Sequence, residues 1–145
     1  MRADRRVSRP ARTVFEPALR EWPQAGVYQL WLRVSVDLRL VVGRLGRVAI
    51  PAGCYVYTGR AARGLVARVR RHVRGGGRKH WHIDYLLARR ATSIERVVLA
   101  SADPEDECAV NRRTGVGIVV RGFGSSDCRA RCGAHLKRVR SIEGD

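Results

Sequence analysis

A run of residues that starts at Gly26 limits the folds open to this chain more than any other stretch. Two sets of side chains alternate along this run. One set is Tyr28, Leu30, Leu32 and Val34, and the other is Val27, Gln29, Trp31 and Arg33. Both faces of an extended segment with this pattern are largely apolar, so the segment needs cover on both sides. We therefore predict a central strand of a covered sheet.

A second strand, predicted at residues 54–58, leads into a basic helix. The stretch reads Gly53-Cys-Tyr-Val-Tyr-Thr-Gly59, and Gly64 closes the turn that follows. The helix is predicted from one apolar and one basic set at helical spacing, namely Leu65, Val66, Val69 and Val73 against Arg68, Arg71 and His72. This order of elements brings tyrosines and several cations close together.

The remaining pattern mixes short strands and helices. Strands are predicted at residues 38–42, 47–50, 94–100 and 136–139, and a helix at 82–90. Asp103-Pro-Glu-Asp106 is a helix-start signature, with a capping aspartate and proline at the first position, for a helix that runs to about Thr114. Residues 122–135 are rich in glycine and polar side chains and are predicted to form an ordered loop or a site.

The charge balance points to a polyanionic partner. The 145 residues carry 29 Lys and Arg against 13 Asp and Glu, a formal net charge of +16. Nucleic acid is the default partner of such a chain. No apolar stretch has the length of a membrane span or of a secretory signal, so we expect a cytoplasmic protein without a membrane partner. Its four cysteines are then expected as reduced thiols or metal ligands.

Three segments are predicted along the chain: a basic, flexible arm at residues 1–24, a domain at 25–140 and a tail at 141–145. Residues 1–23 hold six arginines, three acids and three prolines. Such a composition favours a disordered arm, with a short helical turn near Phe15 to Leu19. The arm either grips phosphates or has no role, and both interpretations stay open.

Four residues are candidates for chemistry on a phosphodiester: Tyr28, Tyr57, Arg68 and Glu107. Each tyrosine belongs to a glycine-containing tripeptide that leaves the backbone open to a ligand. Each candidate also has a structural alternative. Tyrosines in strands usually pack, an arginine on a basic helix is often solvated, and a glutamate early in a helix complements the helix dipole.

Taken together, Gly26-Val-Tyr28, Tyr57-Thr-Gly59, Arg68 and Glu107 resemble the GIY-YIG nuclease superfamily. Further blocks resemble its DUF123 branch, found alone or fused to endonuclease III-type glycosylases: Arg68-Val-Arg-Arg-His72, His80-Trp-His-Ile-Asp-Tyr-Leu86, Gly122-Phe-Gly-Ser-Ser-Asp-Cys128 and Cys132-Gly-Ala-His-Leu136. The resemblance covers roughly residues 26–139. It departs from the superfamily in a longer linker between the tripeptides and in Thr58, and Asn111 is not assigned to the superfamily's late asparagine.

The resemblance implies an α+β fold in which a small, mainly antiparallel sheet is flanked by helices. It also implies a metal-dependent endonuclease, a hydrolase of nucleic-acid phosphodiesters in DNA repair or processing, that uses one Mg²⁺ or Mn²⁺. Tyr28 is then the general base or its relay, Tyr57 positions water or phosphate, Arg68 stabilises charge and Glu107 holds the ion. We expect the arginines to lower the pKa of the phenol base. DNA is the expected substrate, and a repair glycosylase is a candidate partner.

Seven further side chains near this corner are predicted to contact nucleic acid. They are Arg60, Arg63, Arg71, His72, Lys79, His80 and His82. For each histidine, a structural hydrogen bond is an equal alternative.

Cys128, Cys132 and His135 are candidate zinc ligands, with Asp127, Cys54 or another histidine as the fourth. The spacing C-x3-C-x2-H is not a strong signature, so the sequence favours a polar turn with buried thiols over structural zinc. Two alternatives to the nuclease stay open. One is a non-catalytic nucleic-acid-binding module, and the other is a zinc-stabilised adaptor of a repair enzyme.

Overall fold

A six-stranded sheet forms the centre of the molecule. The computed structural model describes residues 19–75, 77–125, 128 and 130–143, and the backbone alone of 14–16. The strands are β1 (Val14–Glu16), β2 (Gly26–Val34), β3 (Leu38–Val42), β4 (Gly46–Ile50), β5 (Gly53–Ala61), β6 (Thr92–Ser101), β7 (Gly117–Ile118) and β8 (Leu136–Val139). The order in the main sheet is β1-β6-β2-β5-β8-β7, and β3 pairs with β4 separately. All pairs are antiparallel except the edge pair β1–β6.

Three short α-helices complete the fold: α1 (Leu65–Arg74), α2 (His82–Leu87) and α3 (Glu107–Arg112). Single 3-10 turns occupy Leu19–Glu21, Gly43–Leu45 and Pro104–Asp106. The predicted start before α3 is confirmed, since the Asp103 carboxylate accepts a hydrogen bond from Glu105 N at 2.9 Å. Within the described ranges, no helix is long and apolar enough to cross a membrane. The predicted class, α+β with a mainly antiparallel sheet, is confirmed.

Strand β2 is central, as its pattern predicts. It pairs with β5 on one side and β6 on the other, and Arg33 alone of its nine residues is exposed. One face contributes Tyr28, Leu30, Leu32 and Val34 to the main apolar core, together with residues from α1 and α2. The other face carries Trp31 in a smaller cluster with Val56, Val139 and Ile142. Side chains on both faces are therefore covered.

The long linker between the two tyrosine motifs folds as the hairpin β3–β4. The strands predicted on either side of Gly43 and Gly46 are confirmed, and they pair only with each other. Because the extra residues form their own small sheet, the linker length does not disturb the pairing of β2 with β5.

Some predicted boundaries are wrong. Residues 14–16 form an edge strand rather than part of a helical turn, and the turn lies at Leu19–Glu21. Helix α2 ends at Leu87, and the Arg89 amide bonds to the Leu86 carbonyl at 3.0 Å in turn geometry. Helix α3 ends at Arg112, and Lys137 Nζ donates to the Asn111 carbonyl at 3.2 Å and to the Thr114 carbonyl at 3.1 Å. Ile142, in the predicted tail, is 8% exposed and packs in the smaller cluster. Most of the predicted N-terminal arm, residues 1–13, lies outside the described residues.

Candidate active site

The register of β2 against β5 brings the two motif tyrosines together. Tyr28 lies directly opposite Gly59, and Tyr57 lies opposite Leu30 on the same face. The two tyrosine ring centroids are 6.3 Å apart. A Cβ atom on residue 59 would stand 2.6 Å from the Tyr28 hydroxyl oxygen, closer than any real contact. Gly59 is thus required by the close approach of the Tyr28 ring.

Helix α1 places His72 beside Tyr28. The Tyr28 hydroxyl lies 2.9 Å from Nε2 of His72, whose ring is 3% exposed. The other ring nitrogen, Nδ1, lies 3.8 Å from Asp84 Oδ1 and has no hydrogen-bond partner among the residues that the structure describes. Asp84 itself is fixed by the amides of His80 and Trp81, at 2.7 and 2.9 Å. The three side chains form a line from Tyr28 through His72 to Asp84.

Burial determines the protonation states of Tyr28 and His72. Burial raises the pKa of Tyr28 well above its usual value, Tyr57 adds to the rise, and Arg68 opposes it. Burial also raises the pKa of Tyr57. The expectation of a net lowering of the phenol pKa is therefore wrong: Arg68 does lower the pKa, but desolvation raises it by more. Burial lowers the pKa of His72 to about 4 against the attraction of Asp84. At neutral pH, Tyr28 O–H therefore donates to the neutral Nε2 of His72.

Arg68 is held beside the tyrosines by Trp81. Its guanidinium carbon lies 4.6 Å from the Trp81 ring centroid, and the group donates to the Arg60 carbonyl. Its charge lowers the pKa of both Tyr28 and Tyr57, although burial dominates in each case. No described residue hydrogen-bonds the Tyr57 hydroxyl, which leaves this group for water or a ligand. We call Tyr28, Tyr57, Arg68 and His72 the tyrosine cluster.

Glu107, the first residue of α3, faces two partners. Its Oε1 lies 3.6 Å from Arg60 Nε, and its Oε2 lies 3.2 Å from His135 Nδ1. The same His135 Nδ1 lies 3.2 Å from the carbonyl of Thr58, the residue after Tyr57, so Glu107 lies beside the second tyrosine motif. The side chain is 21% exposed. Two strands and two helices thus bring the four predicted catalytic residues to one region.

A second group of side chains adjoins Glu107. It comprises Cys108, Cys128, Cys132 and His135, and the four possible ligand atoms all lie within 4.8 Å of one another. The Cys108 sulfur is 3.5 Å from the Cys128 sulfur and 3.9 Å from His135 Nε2. Tetrahedral zinc with bonds of about 2.3 Å separates its ligands by about 3.8 Å. This group, the thiol cluster, can hold a metal ion such as zinc.

The sequence interpretation of the cysteines needs correction. The fourth member of the cluster is Cys108, not Cys54, whose side chain packs beside the Trp31 group on β5 and lies 3.9 Å from Arg33. His82 is not a member of the cluster, and its Nδ1 accepts the Gly124 amide at 2.9 Å. Asp127 lies outside the described residues. The cysteines of the cluster are half-buried free thiols. A signal for Cys108 in the sequence is its position next to Glu107 at a helix start.

Hydrogen bonds within the thiol cluster separate the pKa values of its members. Burial raises the pKa of Cys128, but hydrogen bonds from the Cys132 backbone and the His135 side chain bring it down to about 6. Burial lowers the pKa of His135, but its bonds to Glu107 and Cys128 raise it to about 9. Cys128 thus favours the thiolate, the form of cysteine that binds metals, whereas burial first and then hydrogen bonds with Cys128 and Cys132 raise the pKa of Cys108 to about 12.

The predicted nucleic-acid contacts divide into exposed and internal side chains. Arg63, Lys79 and His80 are exposed, and the Arg60 side chain is 50% exposed. Three others have internal partners. Arg71 makes a two-pronged ion pair with Asp84 at 3.2 Å, His72 is buried against Tyr28, and the His82 ring packs edge-on against Phe123. His72 is therefore an internal partner of Tyr28 rather than an exposed nucleic-acid contact.

The fold and site define a small basic α+β protein with a buried tyrosine–histidine pair beside a candidate metal centre. Residues 27–144 match the family model described as "Domain of unknown function DUF123". The chain therefore belongs to the DUF123 family. No curated protein and no solved structure matches the chain.

Proposed function

We propose that the protein is a metal-dependent nuclease that hydrolyses phosphodiester bonds, with DNA as the expected substrate. The observation that carries the proposal is the convergence of four residues that are far apart in sequence. Tyr28 and Tyr57 pack together, Arg68 stacks on the Trp81 ring that contacts His72, and Glu107 contacts His135 beside Thr58. The chain around them has a net charge of +16, which suits a polyanionic substrate. The resemblance to GIY-YIG nucleases supports the same residues.

Water activation is assigned to the line from Tyr28 to Asp84. Tyr28 keeps its proton at neutral pH, so it acts as a relay rather than as a preformed phenolate. It takes a proton from the attacking water while its own proton passes to His72 Nε2 over 2.9 Å. Asp84, 3.8 Å from Nδ1, stabilises the imidazolium that forms. The water oxygen then attacks phosphorus, and one P–O bond forms as the bond to the leaving oxygen breaks.

Arg68 and a divalent ion would stabilise the negative charge that develops on the phosphate. Arg68 is oriented by the Trp81 ring, so its position does not depend on the substrate. Glu107 would hold Mg²⁺ or Mn²⁺, ions that bind through one or two carboxylates and substrate phosphates. When bound, the ion supplies Lewis-acid stabilisation. Tyr57, whose hydroxyl has no partner among the described residues, positions the water or a phosphate oxygen.

We further propose that the ion of the thiol cluster is Zn²⁺. Three sulfurs and one imidazole form a complete tetrahedral donor set, which is typical of structural zinc. Elemental analysis should find one zinc per chain in the wild type and in Cys54→Ser, and much less in Cys128→Ser. Equal zinc in all three proteins would contradict the assignment.

The nuclease proposal is tested with branched, damaged and single-stranded DNA and with RNA, with and without added Mg²⁺ or Mn²⁺. Because a strong chelator would also remove zinc, the control omits the divalent ion instead of adding chelator. Glu107→Ala and Tyr57→Phe should each lower the cleavage rate at least about 100-fold. Glu105→Ala, which removes an equal charge from a side chain that is 83% exposed, should cleave normally. Cleavage that survives Glu107→Ala would overturn the role of Glu107.

The alternatives are outcomes of the same experiment. Salt-sensitive binding of DNA without cleavage, under every ion condition, would favour the non-catalytic binding module. Zinc binding with neither cleavage nor DNA binding would favour the adaptor of a repair enzyme.

A further inference from the structure

His135 joins the thiol cluster to both halves of the proposed active site. Its backbone carbonyl accepts the Thr58 amide at 3.0 Å, and its own amide donates to the Phe123 carbonyl at 2.8 Å. Its Nδ1 lies 3.2 Å from the Thr58 carbonyl and 3.2 Å from Glu107 Oε2. Thr58 is the middle residue of the Tyr57-Thr-Gly59 motif. One ring thus contacts the second tyrosine motif and the proposed catalytic carboxylate.

The partners of the His135 ring determine which nitrogen is free. Nδ1 faces two oxygen acceptors, so it carries a hydrogen. Nε2 points instead at the thiol cluster, 3.9 Å from the Cys108 sulfur. A metal ion in the cluster therefore binds Nε2, while Nδ1–H remains directed at Glu107 and Thr58. This is the arrangement in which a carboxylate orients a metal-binding histidine, and the orientation acts in both directions.

The same ion would hold Glu107 from a second side, since Cys108 is its neighbour in the first turn of α3. We propose that the thiol cluster, when it holds zinc, is the positioning centre of Glu107, with His135 as the bridging residue. One carboxylate oxygen contacts His135, and the other, which lies 3.6 Å from Arg60 Nε, is the one that would bind the hydrolytic ion. This inference rests on the proposed zinc site and deepens the proposed nuclease, yet its first test needs no cleavage.

Coupling between two sites is reciprocal, so removing Glu107 must weaken zinc binding. Zinc affinity is measured by competition with a chromophoric chelator for the wild type, Glu107→Ala and Glu105→Ala. We expect Glu107→Ala to bind zinc about 10–100-fold more weakly, the usual cost of losing such a partner. Glu105→Ala serves as the matched control and should bind as the wild type does. Glu107→Gln, which retains an acceptor for Nδ1–H, should fall between. Unchanged affinity in Glu107→Ala overturns the proposal.

A second variant separates zinc binding from the bridge. His135→Cys supplies a fourth thiolate, and four cysteines are a common structural zinc set. We expect one zinc per chain, a native circular dichroism spectrum and a cleavage rate reduced about 10–100-fold. A zinc-loaded His135→Cys protein that cleaves at the wild-type rate overturns the bridge and leaves the nuclease standing. If the wild type does not cleave, the nuclease fails, and the zinc competition alone decides the coupling.

Discussion

The tyrosine cluster and the thiol cluster lie side by side but are supported in different ways. Tyr28 and Tyr57 stand on paired central strands, and His72 extends from a ten-residue helix whose apolar side joins the main core. The thiol cluster draws one residue from the start of α3 and the others from the chain between β7 and β8, where the described residues form only turns and bends. Strands, a helix and the main core hold the first cluster, whereas we expect the second to depend more strongly on the zinc ion proposed for it.

The largest expected effect is therefore metal removal from the thiol cluster. Stripping zinc should lower the free energy of unfolding by about 4 kcal/mol, the stabilisation from a ligand present at about 1,000 times its Kd. Hydrogen exchange should rise sharply at Phe123 and Ala134 and much less in β2. Cys54→Ser should respond as the wild type does. Equal loss of protection in β2 and beside the cysteines would contradict the difference between the two clusters.

Acid should affect the tyrosine cluster through His72. Its folded-state pKa of about 4 lies below the ordinary value near 6.5, so between these pH values the unfolded chain binds more protons. Stability should therefore fall as the pH drops from about 6.5 to 4, by about 3 kcal/mol, and level off below.

The control for this acid effect compares two histidine variants by urea unfolding at several pH values. His72→Gln should flatten the fall, whereas His80→Gln, which changes an exposed ring, should keep it. Parallel curves for all three proteins would show that His72 is not the titrating group.

The sequence predicts the parts of the tyrosine cluster well because they depend on local pattern. The two-faced apolar run at Gly26 predicts a central strand, and the Tyr57 strand is one that could pair with it. The sequence pattern places His72 with Arg68 and Arg71 on the basic face of α1. Leu65, Val69 and His72 also share helical spacing, and in the structure all three are buried. The same periodicity that predicts the helix therefore also indicates that His72 points inward.

The thiol cluster could not be predicted to the same extent because loop geometry has no comparable period. Cys108 and Cys128 are separated by 20 residues, and their meeting depends on how the turns after β7 return to α3. Arg71 shows a related limit. Its position on a basic helix face predicts a side chain in contact with solvent or phosphate. Its two-pronged ion pair with Asp84 depends instead on where α2 packs.

A smaller effect is expected from Gly59→Ala. The new Cβ would stand 2.6 Å from the Tyr28 hydroxyl oxygen, so the ring must shift at a cost of about 2 kcal/mol. The displaced hydroxyl should also lower the cleavage rate about 100-fold. Gly117→Ala is the matched control, since a methyl group added there on an edge strand would meet nothing within 4 Å. Thermal unfolding measures both, and zinc content should be normal in each variant. Equal stability of the two proteins would contradict the close approach.

The smallest effect, about 1 kcal/mol, is expected from Asp84→Asn. Burial acts to raise the pKa of the Asp84 carboxyl, but hydrogen bonds from the Trp81 and His80 amides and from Arg71 lower it below its ordinary value. Its contribution is thus present above pH 4 and is lost as the pH falls, so the variant should differ from the wild type at pH 7 and converge with it in acid. Asp37→Asn, which changes an exposed acceptor of the Ala52 amide, is the control. Asp84 contacts His72 and is not a member of the thiol cluster, so zinc affinity should be unchanged in Asp84→Asn. A change in zinc affinity would show that Asp84 and the thiol cluster are coupled.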